Sequence, residues 1–156
     1  MTIRDRPAPS SVEASVRFAR QGRRDTKPEM VLRRALHALG YRYRVDSPLP
    51  GMPRRRADLT FASQKVVVFV DGCFWHGCPE HGTTPHQNGE WWAEKVRGNA
   101  SRDHETDARL EALGWTVVRV WEHENSTDAV ARVVRVLGPA RVTPGEAPAH
   151  EVSRDQ

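Results

Sequence analysis

The segment FVDGCFWHGCPEHG at residues 69–82 holds the densest set of potentially reactive side chains in the sequence. Cys73, Cys78 and His81 lie within nine residues of one another there. Thiolate and imidazole groups are the usual ligands of tetrahedral zinc, and in a reducing compartment two close cysteines beside histidines favour a metal site over a disulfide. We therefore predict a zinc-binding loop, although two incidental thiols among surface histidines would give the same pattern.

The fourth zinc ligand must come from another part of the chain. His123 is the best candidate, because it follows the strand-like segment VVRVWEH and could return to the same end of the sheet. His86 and Glu80 are weaker candidates. Zinc held in this way would be structural, since the loop is too polar to be held in shape by packing.

A second group of residues carries oxygen ligands. Asp58 stands at the start of one predicted strand, and Asp71 follows the next strand. Two carboxylates at neighbouring strand ends can hold a hard divalent cation, and magnesium in such a position polarises a phosphodiester. The backbone carbonyl of Val70 and the side chain of Glu29 could complete the site. The alternatives are a salt bridge from Asp58 to the arginines before it and a helix capping box from Thr26 to Glu29.

Aromatic residues and one further histidine surround the predicted metal loop. His76 is either a spare zinc ligand or a residue that faces a substrate. Phe74, Trp75, Trp91 and Trp92 are too many large aromatics beside a polar loop for all of them to be core residues. Planar side chains in such a place suit base stacking or wedging into a duplex, with ordinary core packing as the alternative.

Composition and charge limit the class of protein. The chain has 156 residues, of which 38% are hydrophobic and 28% charged, as is typical of one globular domain. The sequence has no apolar run near the roughly 20 residues that span a bilayer and no signal-peptide core, so we expect a cytoplasmic protein. Residues 1–56 contain 14 Lys and Arg against 5 Asp and Glu, whereas residues 57–156 contain 10 against 15. The basic first third suggests a polyanion partner, and the alternative is a solvated face with no partner.

The residue pattern predicts an α/β fold with a mixed sheet flanked by helices, in the order α-β-β-β-α-β-α. KVVVFV at residues 65–70 is the continuous β-branched run of a buried central strand. The other predicted elements are helices at 26–39, 90–113 and 126–137, the last capped by Ser126 or Thr127, strands at 41–45, 57–61 and 115–121, and a turn-rich loop at 47–56. A basic flexible arm is expected at residues 1–16, the folded domain at 17–138 and a disordered tail at 139–156.

The sequence resembles the very short patch repair endonucleases, which nick DNA beside a thymine–guanine mismatch. The resemblance runs from about Arg17 to Leu137. It rests on RDTKPE, on LPG followed shortly by Asp58, on VFVDGCFWHGC, on WWAEKVRGNASRD and on LGWTVVRVWEHE. It implies a restriction-endonuclease-like fold, in which a mixed sheet with helices on both sides carries a carboxylate site at its edge. Residues 17–138 would then be the endonuclease domain.

The resemblance also assigns roles to individual residues. It makes Asp58 the central magnesium ligand beside the Val70 carbonyl, and His76 the residue that assists water attack or protonates the leaving group. Glu29 completes the acidic site. The remaining implied positions are zinc ligands at Cys73, Cys78, His81 and His123, DNA-wedging aromatics at Phe74, Trp75 and Trp92, and supporting residues at Lys95, Asn99, Arg102 and Asp103, the last orienting His76.

Two departures from the family pattern matter. Asp71 stands where the best-studied form has a histidine, so we expect metal binding from it rather than proton transfer. At the zinc site, Cys78 and His81 reverse a His…Cys order and His123 replaces a cysteine, both of which zinc tolerates.

We therefore predict a magnesium-dependent DNA endonuclease with a structural zinc ion. It would nick one strand 5′ to the thymine of a T·G mismatch, the product of 5-methylcytosine deamination. The alternatives are a sequence-directed restriction-type or nicking endonuclease without mismatch preference and a zinc-containing DNA-binding module whose carboxylates are structural. The predicted partners are mismatched double-stranded DNA and accessory mismatch-repair proteins. We expect a monomer, because nicking one strand needs one active site.

Overall fold

The computed structural model describes residues 25–82 and 88–140. The elements of this part of the chain are α1 (Lys27–Ala38), β1 (Arg44–Leu49), β2 (Met52–Phe61), β3 (Val66–Asp71), α2 (Gly89–Ala112), β4 (Thr116–Trp121) and α3 (Ser126–Leu137), in the predicted order. None of these helices is long and apolar enough to cross a membrane. The predicted arm at 1–16 and the tail from residue 141 onward lie outside the described residues.

The strands form one sheet in the order β1-β2-β3-β4. The β1–β2 and β2–β3 pairs are antiparallel and the β3–β4 pair is parallel, so the predicted mixed sheet is confirmed. β3 and β4 pair from Val66↔Thr116 to Asp71↔Trp121, and α2 makes the long crossover that parallel strands require. Their carboxyl ends, at Asp71 and Trp121, therefore lie side by side at one end of the sheet. We call this end of the sheet the site edge.

Helices cover both faces of the sheet, because side chains alternate between the faces along each strand. Leu36 of α1 and Val133 of α3 pack in one core with Val68, whereas Leu110 of α2 packs with Val67 on the opposite face. All five side chains are completely buried. Burial of each such side chain stabilises the fold by about 1.5–3 kcal/mol, and together they hold α1, α2 and α3 beside the site edge.

The prediction of a loop at residues 47–56 is wrong, because this segment forms a β-hairpin. β1 extends to Leu49 and β2 already begins at Met52. Gly51, with φ of 69°, takes the left-handed conformation that the tight connection needs. Pro48 lies within β1, which tolerates it because an edge strand has one row of N–H groups without a ladder partner.

The cap of α3 also differs from the prediction. Asn125, rather than Ser126 or Thr127, is the N-cap, and its side chain accepts a hydrogen bond from the Thr127 N–H (2.8 Å). At the other end of α3, the Tyr41 hydroxyl donates to the Gly138 carbonyl (2.5 Å). Side chains from outside the helix body thus fix both ends of α3.

Candidate active site and metal centre

Asp58 lies where β2 separates from β3. The antiparallel ladder pairs residues 59–61 with residues 66–68 and then ends. Just beyond it, the Asp58 carboxylate accepts a hydrogen bond from the Val70 N–H (2.7 Å). The side chain takes the place of a ladder bond between the strands, and this fixes one carboxylate beside the backbone of Val70.

Several negative charges converge on Asp58. Burial raises the pKa of its carboxyl, the hydrogen bond from Val70 lowers it, and the charges of Glu29, Asp71 and Asp46 raise it further, to about 6. Mutual repulsion of this kind favours a bound cation, which would relieve it. The oxygen donors therefore suit a hard divalent ion. Asp46 is an acidic neighbour that sequence reasoning did not identify.

Glu29 does not form the capping box that was the alternative to a functional role. Thr26 is the N-cap of α1 but makes no capping hydrogen bond through its side chain. Glu29 is instead buried, with 3% of its surface exposed, and it pairs with Arg33 one turn later (3.1 Å). Its charge acts on Asp58 from the neighbouring helix, which is consistent with the predicted acidic role.

His76 faces carboxylates and not the cysteines. Its Nδ1 lies 2.6 Å from Asp103 Oδ2 and 3.7 Å from Asp71 Oδ1. Burial alone would lower the pKa of His76, but the hydrogen bond that His76 donates to Asp103 and the charges of Asp71 and Asp103 outweigh it and raise the pKa. With Nδ1 held in this way, Nε2 is the ring nitrogen that can serve a substrate.

Asp71 is engaged by an arginine. Both of its carboxylate oxygens accept hydrogen bonds from Arg119 Nη1, at 3.0 and 3.1 Å. Burial raises the pKa of Asp71, and the charge of Arg119 opposes that rise. A cation could use only those lone pairs of the Asp71 carboxylate that do not accept from Arg119. Magnesium binding by Asp71 therefore stays a prediction.

The four predicted zinc ligands lie together. The candidate ligand atoms of Cys73, Cys78, His81 and His123 are all within 4.8 Å of one another. His123 Nδ1 is 3.0 Å from Cys73 Sγ and 3.6 Å from Cys78 Sγ, and His81 Nδ1 is 4.0 Å from Cys78 Sγ. Ligands of tetrahedral zinc are about 3.3–3.8 Å apart, so these residues fit a metal ion.

The chemistry of the thiols also fits a metal. Both cysteines are buried free thiols. Burial, the hydrogen bond with Cys78 and the Cys78 charge raise the pKa of Cys73 to about 11. Without a cation the Cys73 thiol would stay protonated near neutral pH, whereas a bound dication would favour its thiolate.

Two glutamates support this loop. Glu122 Oε1 accepts a hydrogen bond from the Cys73 N–H (2.8 Å), and Glu80 Oε2 lies 3.4 Å from His123 Nε2. Glu80 is thus an outer partner of a ligand, and it does not belong to the four-residue cluster. His86 lies outside the described residues. Sequence reasoning missed Glu122, although an acid directly after a buried strand was a usable signal.

The predicted aromatics form one half-exposed cluster. Phe74, Trp75 and Trp92 contact one another edge to face, with ring centroids 5.1 to 5.7 Å apart. Trp91 contacts Trp92 at 4.7 Å and extends the cluster. Because Trp75 precedes His76 directly, this aromatic surface adjoins the carboxylate–imidazole site.

α2 supplies the predicted supporting residues. The Asn99 amide donates to the Trp75 carbonyl (2.9 Å), and Asp103 holds His76. Lys95 and Arg102 lie on the exposed surface of the helix. The site edge can therefore hold a hard cation, transfer a proton and stack on bases, with a thiolate–imidazole centre beside it.

Comparisons with known proteins identify related sequences. The family model described as DNA mismatch endonuclease Vsr matches residues 11–81. The chain is 47% identical over 134 residues to the type II nicking enzyme V.NaeI of Lentzea aerocolonigenes, a match that covers 84% of this chain and 80% of that protein. It is 39% identical over 122 residues to the type II nicking enzyme V.XorIIP of Xanthomonas oryzae pv. oryzae, covering 75% and 86%. It is 38% identical over 104 residues to the DNA mismatch endonuclease Vsr of Escherichia coli K12, covering 64% and 62%.

The fold, the site edge and these matches define a DNA endonuclease, an enzyme that hydrolyses phosphodiester bonds. Within that class, the chain belongs to the Vsr family. The resemblance and the fold class predicted from the sequence are therefore confirmed.

Proposed function

We propose that the protein nicks one DNA strand 5′ to the thymine of a T·G mismatch and so begins very short patch repair. The observation that carries this proposal is the aromatic cluster of Phe74, Trp75 and Trp92, in which Trp75 directly precedes His76 along the chain. A wedge of this kind separates stacked bases, and a mismatched pair is already weakly stacked, so its opening costs least. A Watson–Crick pair at the same place resists the wedge more strongly.

The hydrolytic roles follow from the site edge. The Asp58 carboxylate and the Val70 carbonyl, with Glu29 nearby, suit magnesium, which when bound would stabilise negative charge on the scissile phosphate. His76 Nε2 accepts a proton from the attacking water or donates one to the leaving group, while Nδ1 is hydrogen-bonded to the Asp103 carboxylate. The double hydrogen bond from Arg119 favours Asp71 as a partner of His76 over a role as magnesium ligand.

The Cys73, Cys78, His81 and His123 cluster would hold zinc in a structural role. Two cysteines and two histidines fill all four positions of a tetrahedral site, whereas a catalytic zinc site keeps one position open. We propose that the enzyme acts as a monomer in the cytoplasm, with mismatch-repair proteins as accessory partners.

A sequence-directed nicking enzyme is the second candidate. The names of two relatives, the type II nicking enzymes V.NaeI and V.XorIIP, favour it. Such an enzyme would use the same site edge but would not need a mispaired base.

Duplexes that differ in one base pair separate these candidates. We expect a T·G duplex to be nicked about 100-fold faster than the matched T·A and C·G duplexes, because a difference of a few kcal/mol in opening cost changes the rate by that order. A pool with randomised flanking bases removes the need to know the sequence context, and sequencing of the nicked ends locates the cut. Equal rates on all three duplexes would establish the sequence-directed alternative, and nicking without magnesium would contradict the proposed cation.

The wedge can be tested at Trp75. We expect Trp75→Ala to lower kcat/KM on the T·G duplex by about 10- to 100-fold, because a lost aromatic–base stack costs about 1–3 kcal/mol. Trp75→Phe is the matched control, since it keeps a planar ring and should retain most of the activity. Wild-type rates for Trp75→Ala would show that the ring does not enter the duplex.

A further inference from the structure

Arg119 is a charged residue in the middle of a strand that packs against a helix. It lies on β4, opposite Phe69 of β3, and its side chain is 22% exposed. Burial alone would lower the pKa of Arg119, but the hydrogen bond that Arg119 donates to Asp107 and the charges of Asp71, Asp103 and Asp107 outweigh it and raise the pKa above its ordinary value. The guanidinium is thus a permanent positive charge next to the catalytic site.

The guanidinium is fixed from two sides. Its Cζ lies 4.4 Å from the centre of the Phe69 ring, which is a cation–π contact. Arg119 Nε and Nη2 donate to the Asp107 carboxylate at 2.9 and 2.7 Å, a bidentate pair between β4 and α2. The strand, the ring and Asp107 therefore set the position of Arg119 before any DNA binds.

The two Nη atoms of Arg119 also contact Asp71 and Asp103, the two acids that face His76. Arg119 Nη1 holds both oxygens of Asp71, and Nη2 lies 3.6 Å from Asp103 Oδ1 and 3.5 Å from the Asp103 carbonyl. The other oxygen of Asp103 and one oxygen of Asp71 face His76 Nδ1. One guanidinium thus connects both acidic neighbours of the imidazole, which come from different elements of the fold.

We propose that Arg119 is a positioning residue for the nicking reaction: it holds Asp71 and Asp103 on the two sides of His76 Nδ1 and thereby directs Nε2 towards the scissile phosphate. The inference rests on the proposed proton-transfer role of His76. It does not depend on the base pair that the enzyme selects. Lysine could not replace arginine here, because a single ammonium group cannot reproduce the planar fork that binds three carboxylates.

The test is a comparison of Arg119→Lys with wild type on whichever duplex the wild-type enzyme nicks fastest. We expect kcat to fall about 10- to 100-fold, as is typical when an outer partner of a catalytic group is lost, with KM for DNA changed less than about twofold. Arg119→Lys keeps a positive charge among the three carboxylates and so avoids the unfolding that Arg119→Ala could cause. A failed T·G preference leaves this comparison valid, since the duplex is chosen by rate.

Arg55 provides the matched control. Like Arg119, it extends from a strand to α2, where it donates to Thr106 and Glu105 at 2.8 Å each. Its side chain has a similar exposure of 27%. We expect Arg55→Lys to change the melting temperature about as much as Arg119→Lys does while kcat stays within about twofold of wild type. If the two variants lower kcat equally, Arg119 only fastens the helix and the proposal is wrong.

A second measurement separates Arg119 from His76. In a His76→Ala background, Arg119→Lys should have little further effect on kcat, because both changes remove the same arrangement. Fully multiplicative effects would mean that Arg119 does not act through the imidazole. A folded Arg119→Lys enzyme with wild-type kcat would also overturn the proposal.

Discussion

Asp58→Asn should lower the nicking rate by about 1,000-fold or more while the affinity for DNA stays close to wild type. The asparagine keeps the size of the side chain, and its carbonyl oxygen can still accept the hydrogen bond from the Val70 N–H. It loses the negative charge that a hard cation needs, and that charge stabilisation is worth several kcal/mol in metal-assisted hydrolysis. Nicking is measured at saturating magnesium, and binding by fluorescence anisotropy without added magnesium.

A second Asp→Asn variant away from the site edge controls for the loss of one negative charge. Asp128→Asn removes an exposed carboxylate from the first turn of α3 and should nick at the wild-type rate. If Asp58→Asn lost binding and nicking in equal proportion, Asp58 would be a structural or DNA-contacting residue. The catalytic assignment would then be wrong.

Cys78→Ala should reduce zinc content and stability first, and nicking only as a consequence. Loss of one of four ligands leaves an open loop around a weakened site, and structural zinc contributes folding free energy directly. We expect the variant to lose about 3–5 kcal/mol of unfolding free energy, which lowers the melting temperature by about 10 °C in a protein of this size. Zinc is measured by mass spectrometry of the purified protein, and melting by circular dichroism.

Cys78→His is the matched variant, because histidine restores a zinc ligand at the same position. It should recover most of the zinc and part of the lost stability. Below the melting temperature, Cys78→Ala should nick at a rate that follows its folded fraction. A folded, zinc-depleted protein without activity would indicate that the ion takes part in the chemistry, and full zinc content in Cys78→Ala would exclude Cys78 as a ligand.

The sequence predicted the elements that depend on local pattern. The β-branched run of β3 and the alternation in β4 identify two buried strands, and strands separated by a helix pair in parallel. Their carboxyl ends then share one edge, which is why His123 could be predicted to return to Cys73 and Cys78. The structure brings these residues together, within hydrogen-bonding distance in the case of Cys73 and His123.

Features that depend on long-range pairing were missed. The prolines around residues 47–56 suggested a loop, because local propensity does not show that β1 is an edge strand. Arg119 was also missed, although a signal existed: it shares a sheet face with Trp115 and Val117, which pack in the core under α2. A charge at a core-facing position needs a partner, and the acids at Asp103 and Asp107, one helical turn apart on α2, were available.

The register between β3 and β4 has a consequence for how this enzyme can evolve. A single alignment of residues 66–71 with residues 116–121 places Asp71, Arg119 and, two residues past the strand, His123. Deleting one residue from β3 would turn Asp71 to the opposite face, and deleting one residue from β4 would displace Arg119 and His123 in one event. Point substitutions can therefore change these centres one at a time. A change in the length of either strand should instead inactivate the enzyme and be removed by selection.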